Sequence, residues 1–292
     1  MLELTLLERF KVDRLVGEGG MGLVYAGHDL QGGGEVAIKT LHANLASRAD
    51  FSGRFMREAK TQGALDHPNI AELHTVGTAP DGTMFLVMEL VEGHALAEWI
   101  DDPSITAIDA IDICMQVLSA LHYASQFDVV HRDIKPENVM IAAREIAGSR
   151  LWVVKLIDFG LVKVLSTVLG ESEAQRITKT GAVFGTPQYM APEQAAGLGV
   201  DVRTDMYSVG VIFFEMLTGD MPYDGDEPTV VLRKHLHSPL PKLERVRGGA
   251  STAFRQALEG FVHTMMAKNP DDRFDSPVEA LTALRVLRKS AG

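Results

Sequence analysis

One stretch of this chain of 292 residues indicates its fold more clearly than any other. It is His131-Arg132-Asp133-Ile134-Lys135-Pro136-Glu137-Asn138. It follows the apolar pair Val129-Val130, which is strand-like, and it concentrates acidic, basic and amide side chains in eight residues. Asp133 is suited to orient an attacking hydroxyl and to accept its proton. Asn138, five residues later, is suited to hold a metal ion. Each of these residues taken alone could equally be a helix cap or a turn residue. The assignment of a function to the stretch therefore depends on the other motifs in the sequence.

A second carboxylate follows in Asp158-Phe159-Gly160, directly after an apolar segment, 151–157, that we predict to be a strand. Oxygen ligands of this kind suit a hard cation such as Mg²⁺. The sequence therefore offers two candidate metal ligands, Asn138 and Asp158, at the ends of consecutive segments.

A glycine-rich segment lies near the start of the chain, Gly17-Glu18-Gly19-Gly20-Met21-Gly22-Leu23-Val24. Glycine allows the backbone to approach a phosphate closely. A strand pattern follows the segment rather than a helix, which excludes a dinucleotide fingerprint, and the absence of Gly-Lys-Ser/Thr excludes a P-loop. Taken alone, the segment fits an ordinary glycine-rich hairpin equally well.

A lysine stands on the next predicted strand, in Val36-Ala37-Ile38-Lys39. Because side chains alternate along a strand, Lys39 and Ala37 share one face. A charge on an inward face needs a partner, and Glu58 in the predicted helix 50–65 is the natural candidate. The alternative is a solvated lysine on an edge strand.

Composition excludes several function classes. The net charge of −11 is unsuited to sequence-independent binding of nucleic acid, which needs a basic surface, or to docking on anionic lipid. The single cysteine, Cys114, forms no intrachain disulfide, and we expect it to be a packed core thiol. No apolar run reaches the length of a membrane span, and the N-terminus lacks the pattern of a signal peptide.

The predicted secondary structure changes from strands to helices near residues 89–93. Before them we predict strands over 10–16, 23–28, 35–41, 70–77 and 84–90, with a turn at Pro80-Asp81-Gly82. After them we predict helices over 104–126, 204–218, 251–267 and 276–288. The helix 204–218 is apolar nearly all round, so we expect it to lie in the centre of a core.

Together these motifs resemble a eukaryotic-type (Hanks-type) protein kinase catalytic domain, nearest to bacterial serine/threonine kinases. The similarity runs from about Phe10 to Leu287 and includes Ala191-Pro192-Glu193. It implies an α+β, bilobal protein kinase fold in one domain, 1–292. The small β-rich N-lobe with one main helix would be 10–91, and the larger, mostly helical C-lobe would be 92–288.

The resemblance implies how ATP binds. Lys39 would hold the α- and β-phosphates and be fixed by Glu58, and Asp158 and Asn138 would bind Mg²⁺, for which Mn²⁺ is a substitute. The other implied ATP contacts are Val16, Gly17, Glu18, Gly19, Gly20, Met21, Gly22, Leu23, Val24, Ala37, Glu89, Val91 and Met140.

The resemblance also implies the acceptor and the control of activity. Lys135 beside the catalytic Asp133 implies serine or threonine acceptors. Thr178 and Thr180 match sites of autophosphorylation, and Arg132 would receive the phosphate.

Other family contacts are implied between residues far apart in sequence. Glu193 is expected to pair with Arg273, and Asp205 is expected to cap its helix and brace the catalytic segment. His131, Phe159 and Leu73 would stack in a column whose fourth position is Gln62. A polar residue at that fourth position would loosen the active arrangement.

The implied partners are protein substrates with serine or threonine acceptors and the chain itself, with a homodimer through the N-lobe. Nucleic acid and direct membrane contact are not expected. We expect a cytoplasmic location, tethered to a membrane only if the chain is part of a longer receptor-type kinase.

Two alternatives stay open on the residues alone. One is a pseudokinase, against which Lys39, Asp133, Asn138 and Asp158 all argue. The other is a small-molecule phosphotransferase, against which the long segment 158–193 and its Ala-Pro-Glu argue.

Overall fold

A computed structural model of the chain describes residues 2, 4–19, 22–41, 59, 63–146, 149–159 and 186–291. The chain divides into two compact units, residues 1–92 and 93–292. The first is built on a β-sheet and the second mostly on helices, which confirms the predicted α+β class. The predicted helix 50–65 lies, except for Ala59 and residues 63–65, outside the described residues.

The first unit holds an antiparallel sheet in the order β1-β2-β3-β4-β6-β5. Its strands are β1 (Thr5–Leu6), β2 (Phe10–Gly19), β3 (Gly22–Asp29), β4 (Glu35–Thr40), β5 (Leu73–Thr78) and β6 (Met84–Glu89). The predicted turn between the last two strands is confirmed, and the Asp81 carboxylate accepts a hydrogen bond from the Thr83 N–H there at 2.9 Å.

Apolar side chains on one face of these strands form the core of the first unit. Phe10, Val12, Ile38, Phe85 and Val87 are all buried in one apolar cluster. Since neighbouring side chains on a strand point to opposite faces, the same strands present their other face away from this cluster.

The second unit begins with β7 (His94–Ala95), which pairs with the hairpin of β8 (Val139–Ile146) and β9 (Ser149–Leu156). Its helices in the described part of the chain are α1 (Ala107–Ser125), α2 (Pro192–Ala195), α3 (Val202–Thr218), α4 (Pro228–His237), α5 (Thr252–Met265) and α6 (Pro277–Ser290). None of these described helices is long and apolar enough to cross a membrane.

Helix α3 is the centre of the second unit, as predicted. Every residue from Thr204 to Thr218 is buried. Gly210 permits a close crossing with α5, because a Cβ at that position would lie 2.7 Å from the Cβ of Met265. A helix buried on all sides needs such a small residue where a neighbouring helix approaches most closely.

Helix α1 is attached to the outer edge of β9 by one side chain. The Gln116 amide donates to the Trp152 carbonyl at 2.8 Å and its oxygen accepts from the Val154 N–H at 3.1 Å. The Trp152 indole N–H also donates to the Asp109 carboxylate at 2.7 Å. The hairpin that carries the catalytic segment is thereby fixed to a helix that is mostly buried.

Two local predictions were wrong, and some elements were missed. Val129-Val130 is not a strand, because α1 closes with a bond from the Val129 N–H to the Ala124 carbonyl and Asp128 has a φ of 56°. Asp205 does not cap α3, since Asp201 is the cap and accepts from the Arg203 N–H at 2.8 Å. Strand β8 and helix α4 were not predicted.

Candidate active site

The backbone of the catalytic segment is held by a buried carboxylate. Asp205, in the first turn of α3, accepts from the N–H groups of His131 and Arg132, each at 2.7 Å. Burial raises the pKa of Asp205, and the two N–H bonds act in the opposite direction. The predicted brace is therefore confirmed, although the capping role was wrong. Arg132 has a φ of 69°, a conformation that a non-glycine residue adopts at an energetic cost.

Asp133 lies at the centre of a set of polar contacts. Its carboxylate is 3.0 Å from the Lys135 ammonium, and it accepts from the Asn138 amide N–H at 3.0 Å. The same amide donates to the Asp133 carbonyl at 2.8 Å. The three side chains that sequence reasoning placed in one eight-residue stretch therefore converge, with the Asp133 side chain 13% exposed.

Asn138 and Asp158 are brought near each other by the register of the β8–β9 hairpin. Val139 opposes Leu156, and the Ile157 N–H donates to the Asn138 carbonyl at 3.0 Å. Asp158 follows at once, with a φ of 63° that turns the chain after the strand.

The donor set of these two residues fits a divalent cation. The Asn138 amide nitrogen is occupied by Asp133, which leaves its oxygen as the ligand atom. An amide oxygen and a carboxylate on adjacent segments are ligands that Mg²⁺ accepts. Asn138 is buried, so its orientation is fixed by packing as well as by the two hydrogen bonds.

The predicted stacking inside the second unit is confirmed. The rings of His131 and Phe159 have centroids 4.6 Å apart, and His131 Nε2 lies 2.9 Å from the Ile157 carbonyl oxygen. Both side chains are fully buried. Leu73 is buried in the first unit, and Gln62 lies outside the described residues.

In the first unit, the glycine-rich segment forms the end of the β2–β3 hairpin, with Gly19 opposite Gly22. A Cβ on Gly22 would lie 1.7 Å from the Thr40 carbonyl oxygen, so only glycine fits there. Gly20 and Met21, at the tip of the segment, lie outside the described residues.

Lys39 lies on a strand, β4, as predicted, and the register places it opposite Val24 of β3. Lys39 and Ala37 are both buried, which excludes the alternative of a solvated edge lysine. Glu58, the expected partner, lies outside the described residues, so the pair stays a prediction.

The other predicted nucleotide contacts lie in both units. Val16 and Glu18 are exposed on β2, Gly17 and Leu23 are half-buried, and Glu89 ends β6. Val91 is half-buried two residues after the end of that strand, and Met140 is half-buried on β8, opposite Ala95 of β7.

A turn at Pro187–Tyr189 lies beside the catalytic segment. Tyr189 of this turn and Thr186 before it line a cavity of about 30 Å³ that Asp133 and Lys135 also line. Tyr189 is anchored twice by α3, since its hydroxyl donates to Glu215 at 2.8 Å and its carbonyl accepts from Ser208 at 2.7 Å.

Sequence reasoning missed these anchors, because Tyr189 is 26 residues from Glu215 and no local pattern marks the pair. Burial and the nearby acids, led by burial itself, raise the pKa of Glu215 to about 7.

The predicted ion pair between Glu193 and Arg273 is confirmed. Two guanidinium nitrogens of Arg273 donate to the two carboxylate oxygens of Glu193, each at 2.8 Å, and both side chains are buried. Burial alone raises the pKa of Glu193, but bonds from Arg273 and Thr204 hold it below its usual value. Thr178 and Thr180 lie outside the described residues.

Comparison with known proteins decides the family. The family described as protein kinase domain matches residues 10–284. The chain belongs to the protein kinase family. Members of this family use ATP and a divalent metal ion, so the donor sets above agree with the family's chemistry.

Relatives and solved structures add detail to the assignment. The serine/threonine-protein kinase PknB of Mycolicibacterium smegmatis is 37% identical over 279 residues, 94% of this chain and 42% of PknB. The serine/threonine-protein kinase pkn3 of Myxococcus xanthus is 37% identical over 270 residues, 92% of this chain and 48% of pkn3. The chain thus spans less than half the length of these relatives.

The crystal structure of the Mycobacterium tuberculosis PknI kinase domain superposes on this kinase domain with a TM-score of 0.71 at 27% identity. The match covers 98% of this chain and 99% of that one. The predicted protein kinase fold is therefore confirmed.

Proposed function

We propose that this kinase domain is a serine/threonine protein kinase, which transfers the γ-phosphate of ATP to serine or threonine hydroxyls of proteins. The observation that carries the proposal is the convergence of Lys135 and Asn138 on the carboxylate of Asp133. Similarity to relatives named serine/threonine-protein kinase supports the acceptor class.

Asp133 is the proposed catalytic residue. Its carboxylate orients the acceptor hydroxyl and takes its proton, a contribution of about 10²–10⁴-fold to the rate. Lys135, within 3.0 Å of that carboxylate, neutralises charge that develops on the transferring group. Asp133 thus acts on the acceptor hydroxyl, and Lys135 acts on the phosphoryl group that this hydroxyl attacks.

Nucleotide and metal binding are proposed for residues of each unit. In the first unit, the backbone of the glycine-rich segment and Lys39 hold phosphates, with Glu58 as the partner of the lysine. In the second unit, Asp158 and the Asn138 oxygen hold Mg²⁺, with Mn²⁺ as a substitute. The bound metal would neutralise phosphate charge, and the chain's own residues would orient the acceptor.

The remaining ATP contacts are proposed as the resemblance implies them. They are Val16, Gly17, Glu18, Gly19, Gly20, Met21, Gly22, Leu23, Val24, Ala37, Glu89, Val91 and Met140. The close approach of Gly22 to the Thr40 carbonyl supports a backbone role for this segment.

Control by autophosphorylation at Thr178 and Thr180 is part of the proposal, with Arg132 as the group that receives the phosphate. Phosphate adds about −1.5 to −2 charge and pairs well with arginine. The polar Gln62 is proposed to lower the basal activity.

We also propose a homodimer through the first unit and a cytoplasmic location. Leu7 and Leu30 are exposed, and the Leu30 N–H donates at 2.8 Å to the carbonyl of Arg9, two residues after Leu7. Leu7→Glu and Leu30→Glu are expected to lower the dimer fraction in sedimentation velocity, and an unchanged distribution would count against the dimer.

The test of the activity is phosphorylation with labelled ATP and Mg²⁺. Wild-type protein is compared with Asp133→Asn, and the matched control is Asp128→Asn, the same chemical change at an exposed carboxylate. We expect label on Thr178 and Thr180 in wild type and the control, and a loss of about 10² or more in Asp133→Asn. Intact ATP binding without label in wild type would favour a pseudokinase and contradict the proposal.

The role of Asn138 as a metal ligand is tested separately, through the dependence of activity on Mg²⁺. Asn138→Ala removes the amide oxygen together with the amide N–H that the Asp133 carboxylate accepts, so the metal dependence and not the rate alone is the readout. We expect the Mg²⁺ concentration at half-maximal activity to rise, and metal-dependent ATP binding to weaken in calorimetry. An unchanged Mg²⁺ dependence in both measurements would remove Asn138 from the metal site.

A further inference from the structure

The second unit contains a cavity of about 410 Å³ that the proposed mechanism does not use. Its walls are the start of α1, the loop 247–251 that leads into α5, and the end of α6 at Ser290, and we call it the α1–α5 cavity. It shares no lining residue with the cavity beside Asp133. Its volume lies in the range of pockets that hold small organic molecules.

The lining of the α1–α5 cavity combines apolar, hydroxyl and cationic groups. Ala107, Ile108 and Phe254 are apolar, and Ser251 contributes a hydroxyl. Ser251 Oγ accepts from the Phe254 N–H at 3.2 Å, so its hydroxyl hydrogen remains available to an acceptor. Among the described residues that line the cavity, Arg247 is the only charged one. This lining suits a ligand with an apolar body and one acidic group.

Arg247 is held at the cavity by backbone atoms. Its main-chain N–H donates to the Leu217 carbonyl at 2.8 Å. Its Nη1 donates to the Ile100 carbonyl and, at 3.4 Å, to the Asp102 carbonyl. The guanidinium also lies against Gly219, where a Cβ would be 2.3 Å from Nη2, so only a residue without a side chain leaves room for it.

Within the described residues, the charge of Arg247 has no carboxylate in an ion pair with it. Its charge acts on the pKa of Glu215, but that carboxylate is bonded to the Tyr189 hydroxyl. Arg245, two residues earlier, is paired with Asp220 at 2.6 Å. Arg247 is therefore a half-buried cation whose charge is left for another group to neutralise.

The guanidinium of Arg247 also keeps donors in reserve. Nη1 makes the two bonds to carbonyl oxygens, whereas Nε and Nη2 donate to no atom of the described residues. Carboxylate and phosphate groups accept two parallel bonds from such a pair of nitrogens. A purely structural role, in which Arg247 ties residues 100–102 to the end of α3, explains Nη1 alone. It leaves the other two nitrogens and the cavity without a use.

We propose that the α1–α5 cavity binds a small organic anion, whose carboxylate or phosphate group is held by Arg247 and Ser251. The apolar body of the ligand lies against Ala107, Ile108 and Phe254. The inference goes beyond the proposed function and does not depend on it, because the site shares no residue with the proposed nucleotide and acceptor sites.

The test follows backbone amides of isotope-labelled protein by NMR while probe molecules are added. Phenyl phosphate and benzoate each join a benzene ring to one acidic group, and the tighter of the two identifies that group. Benzyl alcohol is the neutral match, and inorganic phosphate lacks the apolar body. We expect shifts at residues 106–108 and 247–254, with both aromatic anions bound more tightly than benzyl alcohol and the phosphate ester more tightly than inorganic phosphate.

Three results of this titration would overturn the proposal. One is the absence of shifts at these amides with either aromatic anion. The second is equal affinity for benzyl alcohol, which would exclude recognition of the charge. The third is equal affinity for inorganic phosphate, which would exclude recognition of the apolar body.

The role of Arg247 is tested with Arg247→Gln against a matched control. The control is Arg245→Gln, the same change at an exposed arginine that does not line the cavity. We expect Arg247→Gln to weaken binding of the tighter anion by about 10-fold or more, as for a lost hydrogen bond to a charged group, and Arg245→Gln to bind like wild type. Unchanged affinity in Arg247→Gln, or an equal loss in Arg245→Gln, would contradict the proposal.

Ala250→Trp covers the case in which Arg247→Gln fails to fold, because it leaves every bond of Arg247 in place. Ala250 is exposed and lines the cavity, so a large side chain there occupies part of its volume. We expect a melting temperature near that of wild type and a loss of anion binding. Wild-type affinity in Ala250→Trp would show that the anion binds elsewhere and would overturn the proposal.

Discussion

The buried ion pair between Glu193 and Arg273 allows one stability prediction to be worked through. Glu193→Gln removes the negative charge but keeps the size of the side chain. The Arg273 side chain is 0% exposed, so its guanidinium would remain buried with its charge uncompensated. Breaking a buried pair on one side costs about 3–5 kcal/mol. We expect a value near the lower end, because glutamine keeps one acceptor oxygen.

The expected fall in melting temperature follows from this energy. A domain of about 200 residues shifts by about 2–4 °C per kcal/mol, so about 3 kcal/mol corresponds to about 6–12 °C. The control is Asp112→Asn, which breaks the pair with Arg288, whose two side chains are 30% and 43% exposed. Surface pairs of this kind contribute about 0–1 kcal/mol.

The assay uses urea unfolding for the free energy and a thermal melt for the melting temperature, both followed by tryptophan fluorescence at pH 7. Both tryptophans, Trp99 and Trp152, lie in residues 93–292, so the signal reports the unit that contains the pair. Because the pKa of Glu193 is lowered in the folded protein, its contribution is complete above about pH 4.5 and is lost as the pH falls through the folded value. A loss below about 1 kcal/mol, or one equal to that of Asp112→Asn, would refute the reasoning.

Three further predictions follow from single positions. Gly210→Ala should destabilise the protein by about 1–3 kcal/mol in urea unfolding, since its Cβ meets Met265 at 2.7 Å, whereas Gly260→Ala, which meets no atom within 4 Å, should not. The contribution of His235 to stability, measured as the difference between wild type and His235→Gln, should fall by about 3 kcal/mol between pH 6.5 and pH 4, because His235, whose folded pKa is about 4, must take up a proton on unfolding. His235→Gln should lack this component, and parallel pH profiles would contradict it. Cys114 should stay unreactive toward a thiol reagent in the native state because burial raises its pKa, and fast modification without unfolding would contradict its burial.

The catalytic segment could be predicted from the sequence because its residues act within a few positions of one another. Asp133, Lys135 and Asn138 lie on a short irregular stretch, so their convergence needs only local geometry. Glu193 and Arg273 are 80 residues apart, and only the family resemblance paired them.

The surroundings of His235 and the existence of helix α4 depend on packing between distant segments, which no local sequence pattern indicates. His235 is next to Tyr207 and Gln188 only because α4 packs against both α3 and the turn at Pro187–Tyr189. Helix α4 itself begins at Pro228 without a side-chain cap and has few buried residues, so its apolar pattern is short. The cap of α3 was assigned to the wrong aspartate because Asp201 and Asp205 both stand near its start.

The amide of Gln116 has a consequence for the behaviour of the chain during synthesis and refolding. A strand with a free edge recruits other strands, and among the described residues the outer edge of β9 is bonded at Trp152 and Val154 by this side chain. Gln116 is 36 and 38 residues from its two partners, so the edge stays open until helix and hairpin meet. Self-association is therefore a hazard of the partly folded chain, and the finished domain removes it with one glutamine.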